Sequence, residues 1–369
     1  MNFLFDEDQD ALRDAAKKLL LNKATLEGLH KDMDGGVAYN KELWDIMSEN
    51  GYQGIGIPEE FGGAGMGYLN QVVVAEELGY SFAHTPYTSS IVGAAEAILQ
   101  AGTEDQKHKY LPQLASGELI GTIAYYEQSG RYDAAGIETK ESGGKLTGKK
   151  MPVIDATIAG IAVVAAQGSK GLSLYIVDMT QSSVDIAELK SMEMLRASSV
   201  VTFNGAQAEL LGEEGKGAEL LEGLTSRMAI FIAFEQIGGA TRCMEDARDY
   251  SLERYIFGKP LGTYQAIKHR ISDMFMRNEL ARSNCYFGAW ALESSEGDIA
   301  EAAALARSTA AEAFEFAAQE NLQVHGGIGF TWAEDCHIFV KRMRHLDALI
   351  GGRLVWRERL FKILESKAA

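Results

Sequence analysis

Two stretches of the sequence carry side chains that could hold a nucleotide or another anion. RYIFGKPLGTYQAIKH, residues 254–269, sets an arginine (Arg254), an aromatic face (Phe257), a glycine where the backbone can turn (Gly258) and an amide (Gln265) around a helix break. A planar guanidinium at such a break suits a pyrophosphate, and an amide there can read a base or ribose. The same residues also read as a plain helix–helix connection with a C-cap glycine. LQVHGGIGFTWAED, residues 322–335, ends a helix in Gly326-Gly327, where bare backbone admits a ligand closely. Its His325 reads as a structural histidine sooner than as a catalyst. A third stretch, HLDALIGGR (345–353), is notable for what it lacks: the tip Leu349-Ile350-Gly351-Gly352 has no group that accepts a proton. GIPEEFGGAGMG (56–67) is glycine-rich but contains neither GxGxxG nor GK[ST], so by itself it is a turn.

These stretches need elements to position them, and the chain supplies three regions. Residues 1–120 read as an N-terminal all-α domain, with Leu12, Ala15, Ala16, Leu19 and Leu20 on one helix face and capping-box patterns at Asp6/Gln9 and Thr103/Gln106. Residues 121–215 alternate short β-prone runs with the breaks ESGG, QGSKG and TQSS, which predicts a central antiparallel β-barrel domain. Residues 216–369 are helical again. Pro260 is the last proline, and alanine-rich stretches such as 299–322 predict a C-terminal four-helix bundle. The fold class is therefore a multi-domain α+β protein.

The 369-residue chain carries a net charge of −17, which argues against binding a phosphate backbone. Three widely spaced cysteines, with no CxxC and no HExxH, give no reason to expect structural zinc, a disulfide framework or any other metal. The acidic start MNFLFDEDQD is unlike a signal peptide, and the longest apolar run, 158–166, is too short for a membrane span. A cytoplasmic setting without membrane insertion is the expectation.

Taken together, RxxFGxxLxxxQ and QxHGGxGF resemble the acyl-CoA dehydrogenase family, and so do PEEFGGAGMG, AEELG (75–79) and QKHKYLPQLASGE (106–118). The helix–barrel–helix order is that family's architecture. The resemblance implies an FAD held at a dimer interface and an acyl-CoA substrate oxidised at its Cα–Cβ bond. A carboxylate takes the α-proton, hydride goes to the flavin, and an electron-transfer flavoprotein receives the electrons. By match of motif, Arg254, Phe257, Gln265, Gln323, Gly326 and Gly327 are expected to contact the FAD of a neighbouring subunit.

The departures from the family carry the functional reading. A positioned base contributes roughly 10²–10⁴-fold to such a proton transfer. In many members it is a glutamate followed by glycine, about two dozen residues after the HGG turn; here that position is Ile350, before Gly351. In a smaller branch it precedes an arginine on the first bundle helix; here the counterpart is Ser226-Arg227, and Arg227 either binds substrate or braces the bundle. The family's TEP and GSD elements, which hold the flavin ring, read here as YYEQSGRYD (125–133), and its Trp-x-Thr/Ser strand reads Pro152-Val153-Ile154. The arm toward a neighbour's FAD is intact while the ring-gripping elements have decayed. GGIGFTWAED and AFEQIGGA (233–240) resemble the branch of bacterial steroid and other bulky acyl-CoA dehydrogenases that form α2β2 heterotetramers, in which one subunit type lacks the base. The expectation is the base-lacking subunit of such a heteromer, working with a base-containing homologous subunit. The alternative is a self-sufficient homo-oligomer with a relocated base, Glu235. A non-catalytic flavoprotein of the DNA-associated kind would need a basic surface. The basic cluster Lys341, Arg342, Arg344, Arg353, Arg357 and Arg359 reads as a solvated helix face or a contact for a CoA phosphate or a partner.

Overall fold

The computed structural model describes residues 6–127, 131, 134–294 and 297–368. Helices come first: α1 (Glu7–Lys23), α2 (Leu26–Gly35), α3 (Lys41–Glu49), α4 (Gly67–Ser81), a π-helical segment (Thr88–Ala95), α5 (Glu96–Ala101) and α6 (Glu104–Ala115). Strands follow: β1 (Gly121–Ala124), β2 (Lys140–Ser142), β3 (Lys145–Ile154), β4 (Ile161–Gly168), β5 (Gly171–Asp178), β6 (Val184–Leu189) and β7 (Ser198–Leu211). The last third is α7 (Gly217–Glu253), a hairpin of β8 (Tyr255–Ile256) and β9 (Lys259–Pro260), then α8 (Gln265–Ser294), α9 (Ile299–His325), α10 (Cys336–Ala348) and α11 (Arg353–Ala368). Both capping boxes form. Gln9 N donates to Asp6 Oδ1 at 2.8 Å and Gln106 N to Thr103 Oγ1 at 3.3 Å, with the reciprocal bonds at 3.0 Å.

The chain packs as two units that cut across chain order: residues 1–29, 68–83 and 229–369 in one, residues 30–67 and 84–228 in the other. In the second, the strand pairings run β4–β2–β3–β7–β5 and return to β4, with β6 on β7 and β1 on β4. Most pairs are antiparallel, but β1–β4 and the single β2–β4 bridge are parallel, so the sheet is mixed. Its inner face is apolar, built from residues such as Leu146, Val153, Val164, Val177, Val201 and Phe203.

The first unit is helical. Its centre is α9, whose buried face is mostly alanine and lets α8, α10 and α11 approach closely. Helices α4 and α7 cross at glycines. A Cβ on Gly79 would lie 1.9 Å from Glu235 O, and one on Gly238 would lie 2.0 Å from Glu76 O. Gly79 of AEELG and Gly238 of IGGA are thus fixed by backbone-to-backbone contact, while a Cβ on Gly239 would lie 2.6 Å from the Phe314 ring. Among the described residues no helix is long and apolar enough to cross a membrane.

Candidate functional site

Among the described residues of the helical unit, the most exposed large apolar side chain is Phe257, 94% accessible. Sequence explains its pose. Phe257 (φ 49°) and Gly258 (φ 81°) are both left-handed, the pair of positive φ angles that closes a two-residue hairpin. The hairpin pairs Tyr255 with Pro260 and Ile256 with Lys259. Leu261 N donates to Arg254 O at 2.7 Å, and Tyr264 Oη to Ile256 O at 3.1 Å. Arg254 follows α7 directly, its N–H donating to Tyr250 O at 2.9 Å. Its side chain is exposed and makes no ion pair among the described residues. Gln265, the first residue of α8, is exposed too.

The second motif ends α9. Gly326 has φ 65°, and a Cβ on Gly326 or Gly327 would meet nothing within 4 Å. Gln323 and Gly327 face solvent. The two motifs share a root: the Tyr250 ring stacks on His325 with centroids 4.0 Å apart. His325 is otherwise held by Nδ1 against Asn321 O at 3.0 Å. The arrangement is an open, glycine-cleared rim carrying a guanidinium, two amides and an aromatic ring. That set suits a dinucleotide approaching from outside the chain.

The stretch 345–353 is built around Arg307, which is fully buried. Arg307 donates to Gln236 Oε1 at 2.7 Å and to the carbonyls of Leu346, of Asp347 (3.1 Å) and of Leu349 (3.2 Å). It therefore satisfies the carbonyls left over at the end of α10. Asp347 Oδ1 accepts from Arg353 N at 3.3 Å, and Trp356 Nε1 donates to Gly351 O at 3.1 Å. Within this frame Ile350 is buried at φ 51°, a strained conformation for a β-branched residue. No carboxylate occupies the position.

Glu235 is buried, and its carboxylate lies 3.7 Å from the Arg342 guanidinium. Arg342 also donates to Ala83 O (3.2 Å) and Phe82 O (3.3 Å), which ends α4. The sequence reading of Arg342 as part of a solvated or phosphate-facing cluster is corrected: it is 1% exposed and bonded within the fold. Arg344 and Arg353 pair with Glu315, and Arg357 with Glu312. Local patterns did not reveal Arg307 or Arg342 as internal braces. For Arg307 the signal was a lone arginine within the alanine-rich run ALARSTAA; Arg342, between Lys341 and Arg344, carried no such signal.

In the sheet-containing unit, Arg227 pairs with buried Glu96 at 3.5 Å. Glu127 accepts from Glu138 N (2.8 Å), Thr139 N (3.0 Å), Thr139 Oγ1 (2.8 Å) and Lys150 Nζ (2.6 Å). Burial draws the Lys150 ammonium down to about 8, opposed by Glu127. Pro152 is exposed, and Val153 and Ile154 are buried without a hydroxyl to offer. Tyr125 and Tyr126 rings lie 4.0 Å apart. The rest of the expected TEP/GSD element, residues 128–130 and 132–133, lies outside the described residues.

Family models for the N-terminal and C-terminal domains of acyl-CoA dehydrogenase match residues 6–118 and 215–360. The acyl-CoA dehydrogenase IpdE2 of Mycolicibacterium smegmatis is 31% identical over 94% of this chain and 95% of its own length. The chain belongs to the acyl-CoA dehydrogenase family. Acyl-CoA dehydrogenases are FAD-dependent oxidoreductases acting on the CH–CH bond of acyl-CoA thioesters. A variant of the Tcur3481-Tcur3483 steroid ACAD is 26% identical, with TM-score 0.89 over 98% of this chain and 99% of that one. The ChsE4-ChsE5 complex of Mycobacterium tuberculosis shares the fold at TM-score 0.91 and 24% identity, over 99% of both chains. The family's order of N-terminal helices, central β region and C-terminal helices is the order found here. FAD is the family's cofactor, and the exposed Arg254–Gln265 arm and the Gly326-Gly327 rim fit the pyrophosphate and adenosine end of one. At the strand expected from the resemblance to hold the isoalloxazine, the residues do not fit it, because Pro152 and Ile154 offer neither an indole face nor a hydroxyl.

Proposed function

We propose that this chain is the base-lacking subunit of a heteromeric acyl-CoA dehydrogenase acting on a bulky, steroid-like acyl-CoA. Ile350 carries the reading: a buried hydrocarbon stands where the family's proton acceptor follows the HGG turn. Glu235, the relocated-base alternative, is buried with its carboxylate 3.7 Å from the Arg342 guanidinium, a position that makes it an internal brace of the helical unit. Asp347, the carboxylate nearest Ile350 along the chain, accepts from Arg353 N within the turn.

When bound, FAD supplies the ring that accepts the electron pair leaving the acyl chain. Arg254 would neutralise a pyrophosphate oxygen, and Phe257 would cover the nucleotide. Gln265, Gln323 and the open backbone at Gly326-Gly327 would seat the adenosine half. The α-proton leaves to a carboxylate of the homologous partner in an α2β2 assembly, and an electron-transfer flavoprotein receives the electrons. The 1–120, 121–215 and 216–369 regions then correspond to the family's helical, barrel and four-helix-bundle domains. The likeness to IpdE2 and to a two-component steroid ACAD supports this reading. A cytoplasmic location belongs to the same proposal.

The test is expression alone and with a base-containing homologue encoded beside it. Alone, the chain is expected to purify with little FAD and no dehydrogenase turnover; together, both return. Arg254→Ala should weaken FAD retention by the complex about tenfold to a hundredfold, the worth of a charge-assisted hydrogen bond of ~1.5–3 kcal/mol. Glu235→Gln should leave turnover of the complex unchanged. Stoichiometric flavin and turnover in the purified homomer would overturn the proposal, as would loss of turnover in Glu235→Gln with its fold intact.

A further inference from the structure

One cluster of side chains has no part in that reading. Asp246 on α7, His325 at the end of α9 and Cys336 at the start of α10 each place one donor atom so that all three atoms lie within 4.8 Å of one another. They come from three separate helices of the same unit, so no local spacing in the sequence betrays them.

We infer that Asp246, His325 and Cys336 form a binding site for one divalent cation of zinc type. Three observations support it. First, His325 is oriented as a ligand. Its Nδ1 is engaged by Asn321 O at 3.0 Å, the outer contact that fixes tautomer and ring direction in metal-bound histidines. The ring is clamped by Tyr250, leaving Nε2 toward Asp246. Second, the separation is that of two ligands rather than of a bonded pair. Asp246 Oδ2 stands 3.8 Å from His325 Nε2, beyond a hydrogen bond. Ligand bonds of about 2.0–2.3 Å to a tetrahedral ion put neighbouring donors roughly 3.3–3.7 Å apart. Third, Asp246 has its own support: Oδ2 accepts from Asn321 Nδ2 at 2.9 Å, so one asparagine braces both the carboxylate and the imidazole. Nitrogen, sulfur and carboxylate oxygen together suit Zn²⁺ over Mg²⁺ or Ca²⁺, which prefer all-oxygen sites.

Burial holds the Cys336 thiol up to about 12 in the metal-free protein. Binding therefore exchanges a proton for the metal: Cys336 S–H loses H⁺ to solvent, an S–M bond forms, and no electrons move. Asp246 is partly exposed and gives the ion a way in. Three protein ligands leave a fourth position for water. Bound there, the ion would join α7, α9 and α10 directly beneath the Gly326-Gly327 rim.

The experiment is titration of the full purified chain with Co²⁺ and with Zn²⁺. One equivalent of Co²⁺ is expected to give a thiolate-to-cobalt charge-transfer band and tetrahedral visible bands, displaced by Zn²⁺. Cys336→Ser should abolish the charge-transfer band. His325→Ala should weaken binding at least a hundredfold. Asn321→Ala, which removes only the bracing side chain, should weaken it ten- to a hundredfold. Cys285→Ala is the control and should bind as the parent does. Circular dichroism establishes that each variant is folded, and Asn321→Ala keeps the test decisive should the ligand variants unfold. No charge-transfer band at saturating Co²⁺, or an equal band in Cys336→Ser, would overturn the site. Flavin content is not a readout, so the result is separable from the heteromer proposal.

Discussion

At the scale of single residues, the chain holds a well-supported turn with no proton-accepting side chain at its tip. Ile350 holds a left-handed backbone that costs an ordinary L-residue roughly 1–2 kcal/mol. The turn persists because Arg307 binds the carbonyls beneath it. Arg307→Ala would strand those buried carbonyls and should lower unfolding free energy by about 3–5 kcal/mol, read by urea denaturation with m unchanged. Glu77 makes a second prediction. It is buried on α4 beside Glu76, with Arg13 and Lys17 on α1 and Arg282 on α8 around it. Burial and the Glu76 charge raise it from an ordinary 4.5 to about 7, against those cations. A carboxyl raised on folding stabilises fully below its unfolded value, and that contribution fades as pH rises through its folded value. Stability should therefore fall between about pH 4.5 and 7 by on the order of 3 kcal/mol, with Glu77→Gln flattening the profile. A parent profile as flat as the variant's would refute this.

At the scale of elements, much was readable. The helix caps at Asp6 and Thr103 and the Phe257-Gly258 turn follow from local chemistry, and each formed where the sequence placed it. The strands of 121–211 followed from β-branched runs and glycine breaks. The parallel β1–β4 pair did not, since strand direction is settled by long-range pairing that no short window contains. Buried arginines were the larger omission. Arg342 sits in a run of cations that looks like a wet face, yet it is the one turned inward to Glu235 and the end of α4. Tertiary partners decide that, and periodicity cannot see them. The α4–α7 crossing gives an element-level test. Gly238→Ala would drive a methyl into Glu76 O and should cost about 3 kcal/mol or more, seen as a lowered Tm. Gly223→Ala, with open space at its Cβ, lies on the same helix and should be neutral or slightly stabilising.

At the scale of the whole molecule, a net charge of −17 coexists with exposed Phe257, Leu280, Phe330, Trp332 and Leu354. Charge keeps such a chain soluble, while scattered large apolar side chains of this kind mark surfaces for association. Light scattering on the co-expressed material should give the mass of two copies of this chain with two of its homologue. A mass corresponding to this chain alone, with the homologue eluting separately, would count against the assembly.

The helical unit is assembled from residues 1–29, 68–83 and 229–369, which are far apart along the polypeptide. A ribosome releases the first two long before the third. Helices α1 and α4 must therefore wait, their apolar sides uncovered, until α7 to α11 have emerged, whereas the residues of the sheet-containing unit are complete at 228. Nascent chains stalled soon after that point should be avid chaperone clients and readily clipped by protease within 7–23. Resistance should arrive late and in one step, when the C-terminal helices leave the exit tunnel.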